Sequence, residues 1–139
     1  MASRWRRSRV GTTVRQFSVQ LSATRRGARL ARLLATEQLR SWGLRFGTAA
    51  QVVAELAANA ALHRRVPGRD FRLALTATER NLRIEVTDTR GDRLPVARHS
   101  ADDESGRGLI LVDAFADRWG VARGPAPRKT VWADFDLEP

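Results

Sequence analysis

Cysteine is absent from this 139-residue chain, which excludes a disulfide framework and any thiolate-ligated metal. Methionine occurs once, at residue 1. No apolar run approaches the ~20 residues that span a bilayer, and the Arg-rich beginning is not followed by the apolar segment of a secretory signal. A soluble, cytoplasmic protein without membrane contact is expected. Acidic residues are scarce at one end only: residues 1–45 hold eleven Arg against one acid, Glu37, while the remainder holds fourteen basic and fourteen acidic side chains. The net charge of +10 therefore belongs to the first third. A tail such as ASRWRRSR binds phosphate polymers non-specifically and with strong salt dependence. The bland alternative is a solubilising arm, since 24 of the 25 basic residues are Arg. Aromatic residues that stack on bases are few, and Trp5 alone lies in the tail, so nucleic acid is not an expected partner. Residues 1–12 are expected to form a basic, disordered arm and residues 13–139 a single domain. Internal repeats and a G-x-x-x-x-G-K-[ST] phosphate loop are missing as well.

The patterning then gives an order of elements. VRQFSVQL (14–21) alternates as a half-buried strand does, and Ser22 or Thr24 can cap the helix that follows. In that helix, rotation puts Arg25, Arg29, Arg32 and Arg40 on one face, and Gly27 is a weak point in its first turn. A second helix follows the Gly43 to Gly47 break and ends at the Pro67-Gly68 turn. FRLALTA and LRIEVTD read as a hairpin around TERN, residues 89–105 as loop, 106–117 as a short helix opening on glycines, and RWGVA and TVWADFDL as the last strands. The order β, α, α, β, β, α, β, β predicts an α+β fold: a two-layer sandwich with a mixed, mostly antiparallel sheet and about three helices on one face.

The second helix carries the most informative pattern. VVAELAANAALHRR (52–65) is nearly all Ala, Val and Leu, yet Gln51, Glu55, Asn59 and His63 recur every four residues. At 100° per residue these positions drift by only ~40° per step and form one polar stripe beside Val52 and Leu56. An amphipathic helix with that stripe in water is one reading. Against it, a solvated face carries many charges, whereas here one carboxylate, one amide and one imidazole interrupt an apolar run. Burying such a group unpartnered costs about 1–3 kcal/mol, and a ligand is a partner. Downstream, IEVTDTRGD puts Asp88 at a strand end, where it can accept from a donor such as an exocyclic amine. GRGLILV puts two glycines at a helix start, where free N–H groups and the helix dipole favour phosphate.

Taken in order, ELAANAALH, VTDTRGD, GRGLILV and KTVWADF resemble the boxes of the GHKL (Bergerat-fold) nucleotide-binding superfamily. Within it they resemble the anti-sigma-factor serine/threonine kinases typified by RsbW and SpoIIAB and the related regulators of actinobacteria. The resemblance covers residues ~14 to 136 and implies ATP and Mg²⁺ as cofactors. It implies that Glu55 polarises the attacking hydroxyl and that Asn59 ligates Mg²⁺. By the same likeness Asp88 accepts from the adenine amino group and Gly91 belongs to the first glycine box. Gly106, Arg107, Gly108 and Leu109 would line the phosphates, and Thr130 would help hold the adenine. His63 fits a position often held by His, with no chemical role attached. The implied activity is phosphoryl transfer to a STAS-domain anti-sigma antagonist, with a sigma factor as second partner, in partner switching that regulates transcription; homodimers are common among such proteins. The first glycine box departs from D-x-G-x-G: Arg90 and Asp92 occupy both glycine positions, which should reshape that edge of the pocket. Asp102, Asp103 and Glu104 add an acidic cluster in the lid. A kinase-inactive, protein-binding regulator with weakened or lost ATP binding therefore stays open, as does, more remotely, a nucleic-acid binder using the basic first third.

Overall fold

The computed structural model describes residues 4–7, 13–62, 70–88, 109–124 and 128–137. Six strands and two long helices follow one another as β1 (Arg4–Arg7), β2 (Thr13–Ser22), α1 (Arg25–Ser41), α2 (Gly47–Leu62), β3 (Asp70–Ala77), β4 (Asn81–Asp88), β5 (Arg118–Arg123) and β6 (Lys129–Asp136). A further helical segment covers residues 109–115. The strands form one sheet in the order β1-β2-β3-β4-β6-β5, and every pairing is antiparallel. The expected α+β sandwich is what forms, with an antiparallel rather than mixed sheet. Within the arm expected to be disordered, Arg4–Arg7 pairs with β2, Trp5 opposite Arg15. The edge of β2 offers unpaired backbone donors and acceptors, and pairing satisfies them whatever the side-chain charge.

Alternation makes one sheet face the core. Phe17 of β2, Phe71, Leu73, Leu75 and Ala77 of β3, Leu82, Ile84 and Val86 of β4, and Ala133 and Phe135 of β6 are buried against Ala31, Ala35 and Leu39 of α1 and Val52, Val53, Leu56 and Ala57 of α2. The small residues of both helices let their backbones approach closely. Arg25, Arg29, Arg32 and Arg40 are all exposed on the outer side of α1, as their spacing requires.

Local chemistry fixes both ends of α1. Thr24 is the N-cap in extended conformation (φ −137°), and its Oγ1 accepts from the Gly27 N–H at 3.0 Å, satisfying an otherwise orphan donor. At the other end Gly43 adopts φ +75°, and the N–H groups of Gly43 and Leu44 donate to Arg40 (2.9 Å) and Leu39 (3.0 Å). This is the left-handed glycine stop of a Schellman motif.

The outward sheet face carries polar and charged residues. Asp134, only 6% exposed, accepts from Arg83 Nε and Nη2 at 2.7 and 2.8 Å. The Arg83 guanidinium also stacks 4.4 Å from the Trp132 ring. Those hydrogen bonds, foremost, hold the Asp134 carboxyl below its ordinary value. A depressed folded-state carboxylate stabilises the protein above the ordinary carboxylate range near pH 4, and that contribution is lost as pH falls through the folded value. Asp134→Asn is expected to lower stability by about 1 kcal/mol at pH 7, a modest figure because Arg83 is well exposed. It should also flatten the acid limb of denaturant-derived stability against pH.

Candidate functional site

Gln51, Glu55 and Asn59 are all half-buried, set among the buried Val52, Val53, Leu56 and Ala57. Their stripe is neither a solvated face nor a sealed core. Among the described residues none makes a hydrogen bond or ion pair with the side chain of Glu55 or Asn59. Where the stripe sits follows from the direction of α2. Thr48 and Ala49 line one cavity together with Leu82, Phe135 and Leu137, so the helix starts over that end of the sheet. Its rise of about 1.5 Å per residue carries Asn59 roughly 15 Å beyond Ala49. The strand rise of about 3.3 Å per residue carries Asp88 roughly 20 Å beyond Leu82. α2 packs on β3, β4 and β6; an axis running along β4 would bring Asn59 toward the Asp88 end, with Glu55 one helical turn behind it.

At that end the inward row of β4 changes character. Leu82, Ile84 and Val86 are buried apolar residues; Asp88, next in the row, is a carboxylate only 8% exposed. It stands between Phe71 of β3 and Lys129 of β6, the residues opposite it in the two ladders. A carboxylate so enclosed, at the end of the apolar row, is suited to accept a hydrogen bond from a planar donor.

Thr130 does not join Asp88. It is opposite Thr87, on the outward face, and the two hydroxyls are bonded at 2.7 Å. Because side chains alternate across a strand, a one-residue shift reverses the face. The inward residue beside Asp88 is Lys129, which sequence reasoning passed over. The signal was present in β6 itself: Val131, Ala133 and Phe135 are its apolar row, so position 129 belongs to the same face.

The helical segment 109–115 packs on the core beside β5. Leu109 packs against the core at its start, and Val112 is fully buried. Asp113 accepts from the Trp119 indole N–H at 2.8 Å, tying the segment to β5. His63, Arg90, Gly91, Asp92, Asp102, Asp103, Glu104, Gly106, Arg107 and Gly108 lie outside the described residues.

The donor set fits a magnesium nucleotide. Mg²⁺ takes hard oxygen ligands and is commonly held by one or two protein oxygens plus phosphates and water, which suits the half-buried Asn59 amide. Glu55, one turn away, is a half-buried carboxylate, a group able to take a proton from a hydroxyl.

The comparisons with known proteins agree with this architecture. Residues 21–135 match the family described as histidine kinase-like ATPase domain (HATPase_c_2). Among solved structures, the RsbU and RsbW domains of Rv1364c from Mycobacterium tuberculosis superpose with a TM-score of 0.62 at 24% identity; the match covers 89% of this chain and 33% of that one. The likeness to that structure is one of fold. No curated protein matches the chain. Among the described residues no helix is long and apolar enough to cross a membrane. With its matched segment running from β2 to β6 and enclosing α2, Asp88 and the 109–115 helix, the chain belongs to the family of histidine kinase-like ATPase domains.

Proposed function

We propose that this protein binds ATP with Mg²⁺ and acts as an anti-sigma-factor-type serine/threonine protein kinase. It would phosphorylate a STAS-domain antagonist and so control, by partner switching, a sigma factor and the transcription that factor directs. The observation that carries this reading is the half-buried polar line of α2 in a domain whose strand β4 ends its inward apolar row on one carboxylate, Asp88. Asp88 accepts from the adenine amino group. Asn59 supplies a magnesium ligand, and the metal's contribution when bound is to neutralise charge on the phosphates. Glu55 orients the serine or threonine hydroxyl of the partner and takes its proton. The new bond joins that oxygen to the γ-phosphorus, and the bond to the β,γ-bridging oxygen breaks, leaving ADP. By resemblance to the second glycine box, Gly106 and Gly108 would let the backbone approach the phosphates.

The outer face of α1 is the surface that suits a protein partner. Its exposed Arg25, Arg29, Arg32 and Arg40 lie beside Leu33 and Leu30, which are 62% and 41% exposed. Positive charge around apolar contact area matches an acidic partner.

Titration with Mg-ATP while following the melting temperature tests the nucleotide site. Ligand at a hundredfold excess over Kd contributes about 2.7 kcal/mol, several degrees for a domain of this size. Neither ATP nor ADP shifting the transition at millimolar concentration would sink the reading. Asn59→Ala should weaken ATP binding roughly tenfold in Mg²⁺ and little in EDTA; equal losses in both would remove its metal role. The Arg90 and Asp92 substitutions favour a second reading, a kinase-inactive binding regulator, and ATP binding without transfer to any STAS-domain protein would select it.

A further inference from the structure

The base end of the site holds a charged group that the proposed mechanism leaves unused. Along β4 and β6 the inward pairs are Leu82 with Phe135, Ile84 with Ala133, Val86 with Val131, and then Asp88 with Lys129. Three apolar pairs lie beneath the helices, and the fourth sets an acidic beside a basic residue. Side chains directly opposite in an antiparallel pair have β-carbons about 4.5–5.5 Å apart and share one face. Lys129 is half-buried, and it is the single lysine in a chain whose other 24 basic residues are arginine. A compact ammonium on a flexible stem presents donors to a point acceptor, where a planar guanidinium would present a fork.

An acceptor beside a donor matches one edge of adenine. Its six-membered ring carries the amino group, a donor, next to ring nitrogen N1, an acceptor. We infer that Lys129 is a specificity-determining residue of the base pocket, donating to N1 of adenine while Asp88 accepts from the amino group. The inference rests on the reading of Asp88 as the base acceptor. It gives the inward row of β6 the role that Thr130, bonded to Thr87 on the outward face, does not fill.

The test compares Mg-ATP with Mg-1-deaza-ATP, in which a C–H replaces N1 and the amino group is kept, on the full chain and on Lys129→Met. The parent protein is expected to prefer ATP roughly tenfold, the worth of one hydrogen bond to a charged donor. Lys129→Met should bind ATP roughly tenfold more weakly and treat the two nucleotides alike. A parent that binds both equally, or a Lys129→Met variant that keeps the preference, overturns the inference while leaving the nucleotide site standing. Should ATP itself fail to bind the parent, the site reading falls and this inference with it. The parent comparison needs no variant, so it decides the matter even if Lys129→Met folds poorly. As a second readout, Mg-ATP should slow acetylation of Lys129 several-fold, followed by peptide mass spectrometry; an unchanged rate at saturating ATP counts against the contact.

Discussion

Glu55→Ala is expected to leave Mg-ATP affinity within about twofold of the parent while slowing phosphate transfer to a STAS-domain partner by roughly 10² to 10⁴. The split follows from where Glu55 sits. It is half-buried on the same stripe as Asn59, one helical turn away, and in the proposed site it borders the reacting end and not the base. Removing a group that acts on the incoming hydroxyl costs the transition state without costing ground-state binding. Glu55→Gln keeps the size and hydrogen-bonding capacity but cannot take the proton, and should be nearly as slow. Single-turnover transfer measured with radiolabelled ATP reads both variants. Parent-like rates in Glu55→Ala would remove Glu55 from the chemistry.

Gly27→Ala is expected to destabilise the fold by about 3 kcal/mol or more, opposite in sign to the usual effect of alanine in a helix. Alanine for glycine ordinarily stabilises a helical position by about 0.4–1 kcal/mol. At Gly27, however, a β-carbon would overlap the carbonyl oxygen of Ser22, with the carbonyl carbon 2.9 Å away. The obstacle is backbone at the end of β2, so relief requires moving α1 away from the strand and disturbing the Thr24 cap. Gly47→Ala is the control: a β-carbon there meets nothing within 4 Å, and the change should be neutral or slightly stabilising. Urea unfolding of the two variants beside the parent measures the contrast. Equal stabilities would show that the first turn of α1 can shift freely.

Gly27 also marks what patterning can and cannot reach. As sequence it is a weak residue in a helix; its reason for being there, the close passage of α1 over Ser22, is a tertiary contact that no local pattern encodes. The strands and helices themselves were legible because their periods are unambiguous, as in the alternating VRQFSVQL and LRIEVTD. The four-residue recurrence of Gln51, Glu55 and Asn59 was legible for the same reason, and the structure keeps all three half-buried. The pairing of Arg4–Arg7 with β2 was hidden, because RWRR has no alternation and its charge argues for solvent; backbone hydrogen bonding at an open edge decides it. Lys129 illustrates a third kind of miss. Parity along VWADF contained the answer, but weighing Thr130 by its chemistry alone put the wrong side chain beside Asp88. Strand register, more than residue type, selects what lines a pocket.

The most direct measurement of the nucleotide site is a crystal structure grown with Mg-ADP. Adenine should lie with its amino group on the Asp88 carboxylate and N1 toward Lys129, the metal on the Asn59 side-chain oxygen, and the phosphates at the start of the 109–115 helix. A nucleotide bound elsewhere, or no density at this end of the sheet at millimolar Mg-ADP, would contradict the assignment of α2 and β4 as an ATP site.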